Sequence, residues 1–477
     1  MQSRPRARIA GLAALVALSL AARIFLLVER PLWHDEVFTV WAARLAPTQL
    51  STALRSDSGP PLFYLLERPF ARAADKPEHD ALARLLPFAA GLALFAAART
   101  LPKGAARAWW IALVACFALG NLYAAEARAY ALLSLLGLGI FLLGALAPET
   151  PGRLAGLWAL AAAALWLHYL ALFVVAAAVC LAIGLRRFRA ALALVAAFVA
   201  FGPWIPILLA QPADAMAWLR ESPAAAVPGF LSALGGAGRI PAPFGPPPPQ
   251  AAFAAGALLG AALLALLVPA ARADAAVRAA LLFVLLVLAL ALGVSLWRPV
   301  AFAGRCEMAV LPVWMWAVAR AAPGRRALGV AASLASALGL CTTAFVAAGP
   351  HPRSTQASAV VSVGRLARPG DTVVAGPGFY LPALLAADRG LLAARVVPLP
   401  AGDASHPGWF VAWPLTPEDA RDTERAAVEA GSGGRVFLLL PPAYSQPALM
   451  GPLEARGILK ELVRQPDGVL TVWTPRS

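Results

Sequence analysis

Residues 8–45 read RIAGLAALVALSLAARIFLLVERPLWHDEVFTVWAARL: a long apolar run, a proline, and then His34, Asp35 and Glu36 side by side. Residues 8–29 are long enough to cross roughly 30 Å of hydrocarbon as a helix. Similar apolar runs follow near 81–98, 106–122, 128–146, 154–167, 170–185, 190–209, 251–270, 276–296, 302–319 and 327–348. That gives about eleven crossings. Composition agrees: of 477 residues 60% are hydrophobic and only 14% charged, with a mean hydropathy of +0.71. A soluble chain carries about a quarter charged residues. The expected class is therefore a polytopic all-α membrane protein. The longest ambiguous stretch, around 154–185, breaks only at His168-Tyr169 and reads as two short helices joined by a tight turn.

The net charge of +15 invites a nucleic-acid reading, which its distribution rejects. Arg4, Arg6 and Arg8 precede the first run. Arg99, Lys103 and Arg107, then Arg153, Arg186, Arg187 and Arg189, then Arg272, Arg278, Arg320, Arg325 and Arg326 fall in alternate short loops. That is the positive-inside pattern of a membrane protein. It puts the N-terminus in the cytoplasm and, with an odd number of crossings, the C-terminus outside. Arg44, Arg55, Arg68, Arg72 and Lys76 run against the pattern, but in a long loop, where the rule is weak. No small-residue cleavage site follows the first run, so it reads as a retained span. Cys116, Cys180, Cys306 and Cys341 show no paired spacing and read as buried thiols.

Two domains are expected: residues 1–350 as the membrane domain with outer loops 30–80 and 210–250, and residues 351–477 as a small α/β domain on the outer face. RPGDTVVAGPG, GGRVFLLLPP and GVLTVWTP are β-rich runs bounded by Gly and Pro, and PEDARDTERAAVEAG between them reads as a helix. The lone Gly376-Pro377-Gly378 is a turn signal rather than a nucleotide fingerprint. The Pro- and Gly-rich loop 210–250 reads as a lid over a cavity, against the plainer reading of a linker.

The polar residues that remain fall on the outer side: His34-Asp35-Glu36, Asp57 before Pro60-Pro61, Glu126, Arg128 and Tyr130 in YAAEARAY, His168-Tyr169, and Arg298, Arg305 and Glu307 in WRPVAFAGRCE. Each alone is ordinary, as a helix entry, a snorkelling charge or an interfacial aromatic. Together they describe a polar cavity that opens outward. An ion-coupled transporter puts its ionisable residues near mid-membrane on broken helices, and this chain has very few there.

The order W-x-D-E, D-x-x-P-P-L-x-Y-L-L, E-A-R-x-Y-A-L, H-Y and R-P-x-x-x-x-x-R resembles bacterial integral-membrane glycosyltransferases of the GT-C superfamily. These are family-39-like enzymes, relatives of protein O-mannosyltransferases and of the lipid A aminoarabinose transferase. The likeness extends over nearly the whole chain. Gly59 stands where many relatives have His, and Cys306-Glu307 where many have an aromatic; both bear on sugar and acceptor specificity. The resemblance implies a polyprenyl-phosphate sugar donor and transfer to a lipid, glycan or protein acceptor at the outer face of the bacterial inner membrane. It implies Asp35 and Glu36 as catalytic carboxylates and Arg128 and Arg305 as ligands of the donor phosphate. His34, Asp57, Tyr64, Glu126, Tyr130, His168 and Tyr169 become substrate-binding candidates. His34, Asp35, Glu36, Asp57 and His168 offer donors to a divalent metal, but no spacing specifies one. The alternative is a flippase of lipid-linked sugar, which keeps the arginines and needs no base.

Overall fold

A computed structural model describes residues 3–55, 57, 59–211, 222–241, 247–349, 355–376, 379–398, 421, 425, 435–440, 457–465 and 468–475. The first apolar run is α1 (Ser3–Glu29), and the exit that follows folds into three short helices, α2 (His34–Arg44), α3 (Pro47–Arg55) and α4 (Leu62–Ala73). A 3-10 turn at Pro77–Arg84 leads into α5 (Leu85–Ala96). The third run is broken at Phe117 into α6 (Ala105–Cys116) and α7 (Ala118–Tyr123). Then come α8 (Tyr130–Phe141), α9 (Pro151–Leu167), α10 (Ala171–Gly184), α11 (Phe188–Phe201), α12 (Ile205–Ala210), α13 (Pro223–Leu234), α14 (Gln250–Ala273), α15 (Ala275–Ser295), α16 (Leu311–Ala321) and α17 (Arg326–Ala348).

The protein is a polytopic helical membrane protein. Among the described residues six helical stretches are long and apolar enough to span alone, and five apolar helices are shorter. Leu192, Val199 and Leu258 are each at least 70% exposed, as side chains facing lipid would be. Cys180 and Cys341 also lie on that exposed face, contrary to the expectation of burial, whereas Cys116 and Cys306 are buried. A thiol facing hydrocarbon needs no protein around it to leave water. The break between α9 and α10 falls at His168-Tyr169, as its sequence suggested. The run at 302–319 departs from expectation: regular α-helix begins only at Leu311, after a 3-10 turn at Cys306–Ala309.

The chain divides into two compact units, though not by one cut near residue 350. The helical unit comprises Met1–Arg30, Ser58–Leu66 and Arg84–His351. The α/β unit comprises Pro31–Asp57, Glu67–Ala83 and Pro352–Ser477.

Within the helical unit, small residues let backbones meet, as membrane packing requires. A Cβ on Gly256 or Gly260 of α14 would strike α13 at Ser232 or Leu231. Ala118 N–H donates to Gly236 O, in the Gly235-Gly236 turn after α13, at 3.0 Å, which caps the break between α6 and α7. Residues 223–240 are therefore a packed helix and turn with mostly buried side chains, not a lid. The flanking stretches 212–221 and 242–246 lie outside the described residues. Arg23 of α1 is buried and donates to Asn121 Oδ1 and Val114 O, both at 2.8 Å; Asn121 also bonds Thr343 at 3.2 Å. A cation inside a span needs such neutral acceptors.

In the α/β unit, α18 (Thr355–Leu366), β1 (Thr372–Ala375), α19 (Tyr380–Asp388), β2 (Arg395–Pro398), β3 (Val436–Leu440), β4 (Gly457–Gln465) and β5 (Gly468–Pro475) form one sheet with order β2-β1-β3-β5-β4. The three β-rich runs became β1, β3 and β5. β1 lies between parallel β2 and β3, and β5 pairs antiparallel with β3 and β4. Val363, Val373, Phe379, Phe437 and Leu439 make its core. α2 packs along α19 in the same unit. The helix expected across PEDARDTERAAVEAG lies outside the described residues except Arg421 and Arg425, both helical.

Candidate functional site

The candidate polar residues fall into two groups, one in each unit. In the helical unit the turn between α7 and α8 carries Glu126, Arg128 and Tyr130. Glu126 and Tyr130 are buried and Arg128 is half-buried, its N–H bonded to Glu126 O at 2.7 Å. Tyr130 stacks between Tyr123, at 4.8 Å between ring centroids, and His168, at 5.0 Å. Arg305 reaches the same ring: its guanidinium lies 5.9 Å from the Tyr130 centroid, 5.3 Å from that of Phe302, and 3.5 Å from Tyr130 Oη. Residues 126–130, 168 and 302–305, far apart in sequence, thus share one aromatic-walled corner with two cations.

The loop that carries Arg305 is fixed by its own backbone. Gly304 has φ +93°, a conformation that disfavours any side chain. Its N–H bonds both oxygens of buried Glu307, at 3.0 and 2.9 Å. A Cβ on Gly304 would lie 2.3 Å from Arg239 O, so Arg239, exposed after α13, flanks the same loop. Gly137 of α8 likewise lets Ala309 O approach. Arg239 was missed from sequence because its distance in the chain hid its place beside Gly304.

His168, in the turn between α9 and α10, accepts from Leu170 N–H at 3.1 Å through Nδ1. Burial, then the charges of Arg128 and Arg305, push its imidazole down to about 3, so it is neutral across physiological pH. Tyr169 donates to Gln211 Oε1 and accepts from Trp204 Nε1, each at 2.9 Å. Tyr64 lies on the buried face of α4, its ring edge-on to Phe63.

In the α/β unit, His34, Asp35 and Glu36 form the first turn of α2, where the positive end of the helix dipole favours carboxylates. Glu36 is fully buried, and its Oε2 accepts from Trp33 N–H at 3.3 Å. This is the backward half of a capping box. His34 and Asp35 are half-exposed, and Thr39 bonds Asp35 O at 3.0 Å. Asp57 is buried just after α3. Glu67 is a further carboxyl that sequence reasoning missed. It is fully buried, neither oxygen has a hydrogen-bond partner among the described residues, and burial, then the charge of Glu36, push it up to about 9. Its signal was its spacing: Phe63, Tyr64, Glu67 and Ala71 make one buried stripe of α4. Among the described residues no group of three or more His, Cys, Asp or Glu side chains could hold a metal ion.

Comparison by sequence finds no match, either to a family model or to a curated protein. Comparison by structure does. ArnT from Cupriavidus metallidurans in its apo state superposes with a TM-score of 0.65 at 15% identity, over 98% of each chain. The chain has the ArnT fold. ArnT bound to undecaprenyl phosphate gives a TM-score of 0.63 at 14% identity, over 97% of this chain and 98% of that one. The likeness is one of fold, and it takes in the helical domain and the small C-terminal domain together.

Proposed function

We propose that this protein is a glycosyltransferase that moves a sugar from a polyprenyl phosphate to a hydroxyl acceptor at the outer face of the bacterial inner membrane, with its N-terminus cytoplasmic. The observation that carries this reading is the end-to-end likeness to a protein with undecaprenyl phosphate bound. The residues suit the chemistry. Half-exposed Asp35 takes the proton of the acceptor hydroxyl. The acceptor oxygen attacks the anomeric carbon from the face opposite the phosphate, the bond from that carbon to the phosphate oxygen breaks, and polyprenyl phosphate leaves with the electron pair. The product is inverted. No general acid is needed because phosphate is already a good leaving group, unlike the alkoxide of a glycosidase.

Arg128 and Arg305 bind the phosphate oxygens, with Arg239 as a third cation. Guanidinium does this bidentately and stays charged when partly buried. Neutral His168 with Tyr130 and Tyr169 lines the sugar, and Glu36 holds the turn that aims Asp35. His34, Asp57, Tyr64 and Glu126 complete the binding residues.

The test uses full-length protein in lipid nanodiscs, a panel of radiolabelled polyprenyl-phosphate sugars and total membrane extract as acceptor. Wild type transfers one label and Asp35→Asn transfers none while binding it. If wild type moves no label to any acceptor but carries it across the bilayer, the flippase reading replaces this one.

A further inference from the structure

Two consecutive side chains at the end of α19, Asp388 and Arg389, reach both limbs of the chain segment around the Asp35 turn. Arg44, in the last turn of α2, pairs through Nε with Asp388 and donates from Nη1 to Ala71 O at 3.0 Å. Arg68 of α4 answers it, donating to Ala43 O at 3.2 Å and to Leu45 O. Arg389 pairs with Asp80 at 2.8 Å, and both side chains are nearly buried, at 5% and 14% exposure. Asp80 lies in the 3-10 turn that ends this limb at Arg84. One helix end thus grips residue 44 on one side and residue 80 on the other, with 68 and 71 locked between.

The grip is backed by the sheet. α19 sits on the parallel strands through Phe379, Tyr380, Ala383 and Ala386, all in the buried core of the sheet. α2 lies along it. Asp35 is on the same helix as Arg44, about two and a half turns away, and a helix of that length transmits a displacement at one end to the other. These contacts account for two of the arginines in this loop. Arg44 and Arg68 are held by partners within their own unit, so they do not report on membrane orientation.

We infer that Asp388 and Arg389 are positioning residues: the C-terminal α/β domain clamps α2 and thereby aims Asp35 at the acceptor. This rests on Asp35 being the base. A task is thereby assigned to the C-terminal domain that requires no ligand of its own, since its strands and α19 act as the anvil against which the carboxylate turn is set.

The test separates the clamp from the reaction. Hydrogen exchange is followed in full-length protein in nanodiscs for peptides covering 34–44 and 77–84, in wild type, Arg389→Asp, Asp80→Arg, the reversed pair Asp80→Arg/Arg389→Asp, and the milder Asp388→Ala. The single reversals speed exchange in both peptides, Asp388→Ala speeds it in 34–44, and the reversed pair restores protection. With a labelled undecaprenyl-phosphate sugar that wild type turns over, the single reversals lower kcat about tenfold to a hundredfold, as expected of a reacting group misplaced by an ångström or less. They leave KM for the donor unchanged, and the reversed pair recovers kcat. Unaltered exchange at 34–44 in all single variants overturns the clamp. So does faster exchange with kcat intact, or a loss in KM equal to that in kcat. If wild type turns over no donor, the exchange data still decide the clamp while the assigned chemistry fails on its own.

Discussion

The arginine corner of the helical unit and the carboxylate turn of the α/β unit are built in opposite ways. The corner draws on residues 123–130, 168 and 302–307, brought together by aromatic stacking and by glycines that let backbones touch. The turn is local: three adjacent residues at a helix start, closed by one bond from Trp33 N–H to Glu36. A corner of cations assembled over long range can be fixed in place with little freedom, as a site for a transferring phosphate requires. A carboxylate at a helix start is easily formed, and what packs along its helix here is α19.

The largest effect should come from removing one group on each side. Asp35→Asn is expected to lower turnover about 10²- to 10⁴-fold, the usual worth of a general base, with donor binding intact. Arg305→Gln is expected to lower it about 10²- to 10³-fold and to weaken donor binding as well. Binding of the labelled donor in nanodiscs distinguishes them, and equal loss of binding in both variants breaks the division of labour.

Glu67 comes next. Its acid is raised from 4.5 to about 9 in the folded protein. Between those values the folded state keeps a proton that the unfolded chain releases, so stability falls as pH rises from about 4.5 to about 9. The difference amounts to about 3 kcal/mol at pH 7. Glu67→Gln should therefore unfold at higher temperature than wild type at pH 8, with the gap closing toward pH 5. A constant gap across that range would show that Glu67 is ionised when folded.

Gly304→Ala should cost about 1–3 kcal/mol through backbone strain at φ +93° and displace Arg305. Weaker donor binding without any change at Asp35 is the expected signature, read from KM. The smallest effect belongs to His168→Gln. Because His168 is already neutral, with its imidazole near 3, the pH profile of turnover from 5 to 8 should keep its shape. A lost limb near pH 6.5 would show that the imidazole titrates during turnover.

Much of the fold was legible because hydrocarbon imposes its own length and polarity on every span, and β-rich runs between Gly and Pro mark strands even in a short domain. α16 was over-read at its start, since residues 302–310 lead straight into its apolar run yet are held irregular by Glu307 and Gly304. The loop 210–250 was read as a lid, but its described part 223–240 is packed, because glycine and proline also mark places where backbones meet closely, as at Gly235 and Gly236. β2, β4 and Arg239 left too little local signal, and Glu67 left only its spacing in the stripe of α4.

By itself the sequence determined the class of molecule and the carboxylate turn, because both follow from composition and from neighbours within a few residues. Only the tertiary structure decided which cations share a wall with Tyr130, that Glu67 is kept neutral, and that α2 rests on a helix more than 340 residues away in the chain. Those depend on burial and on contacts between distant segments, and no local pattern of residue types encodes which distant surface will be the one that meets them.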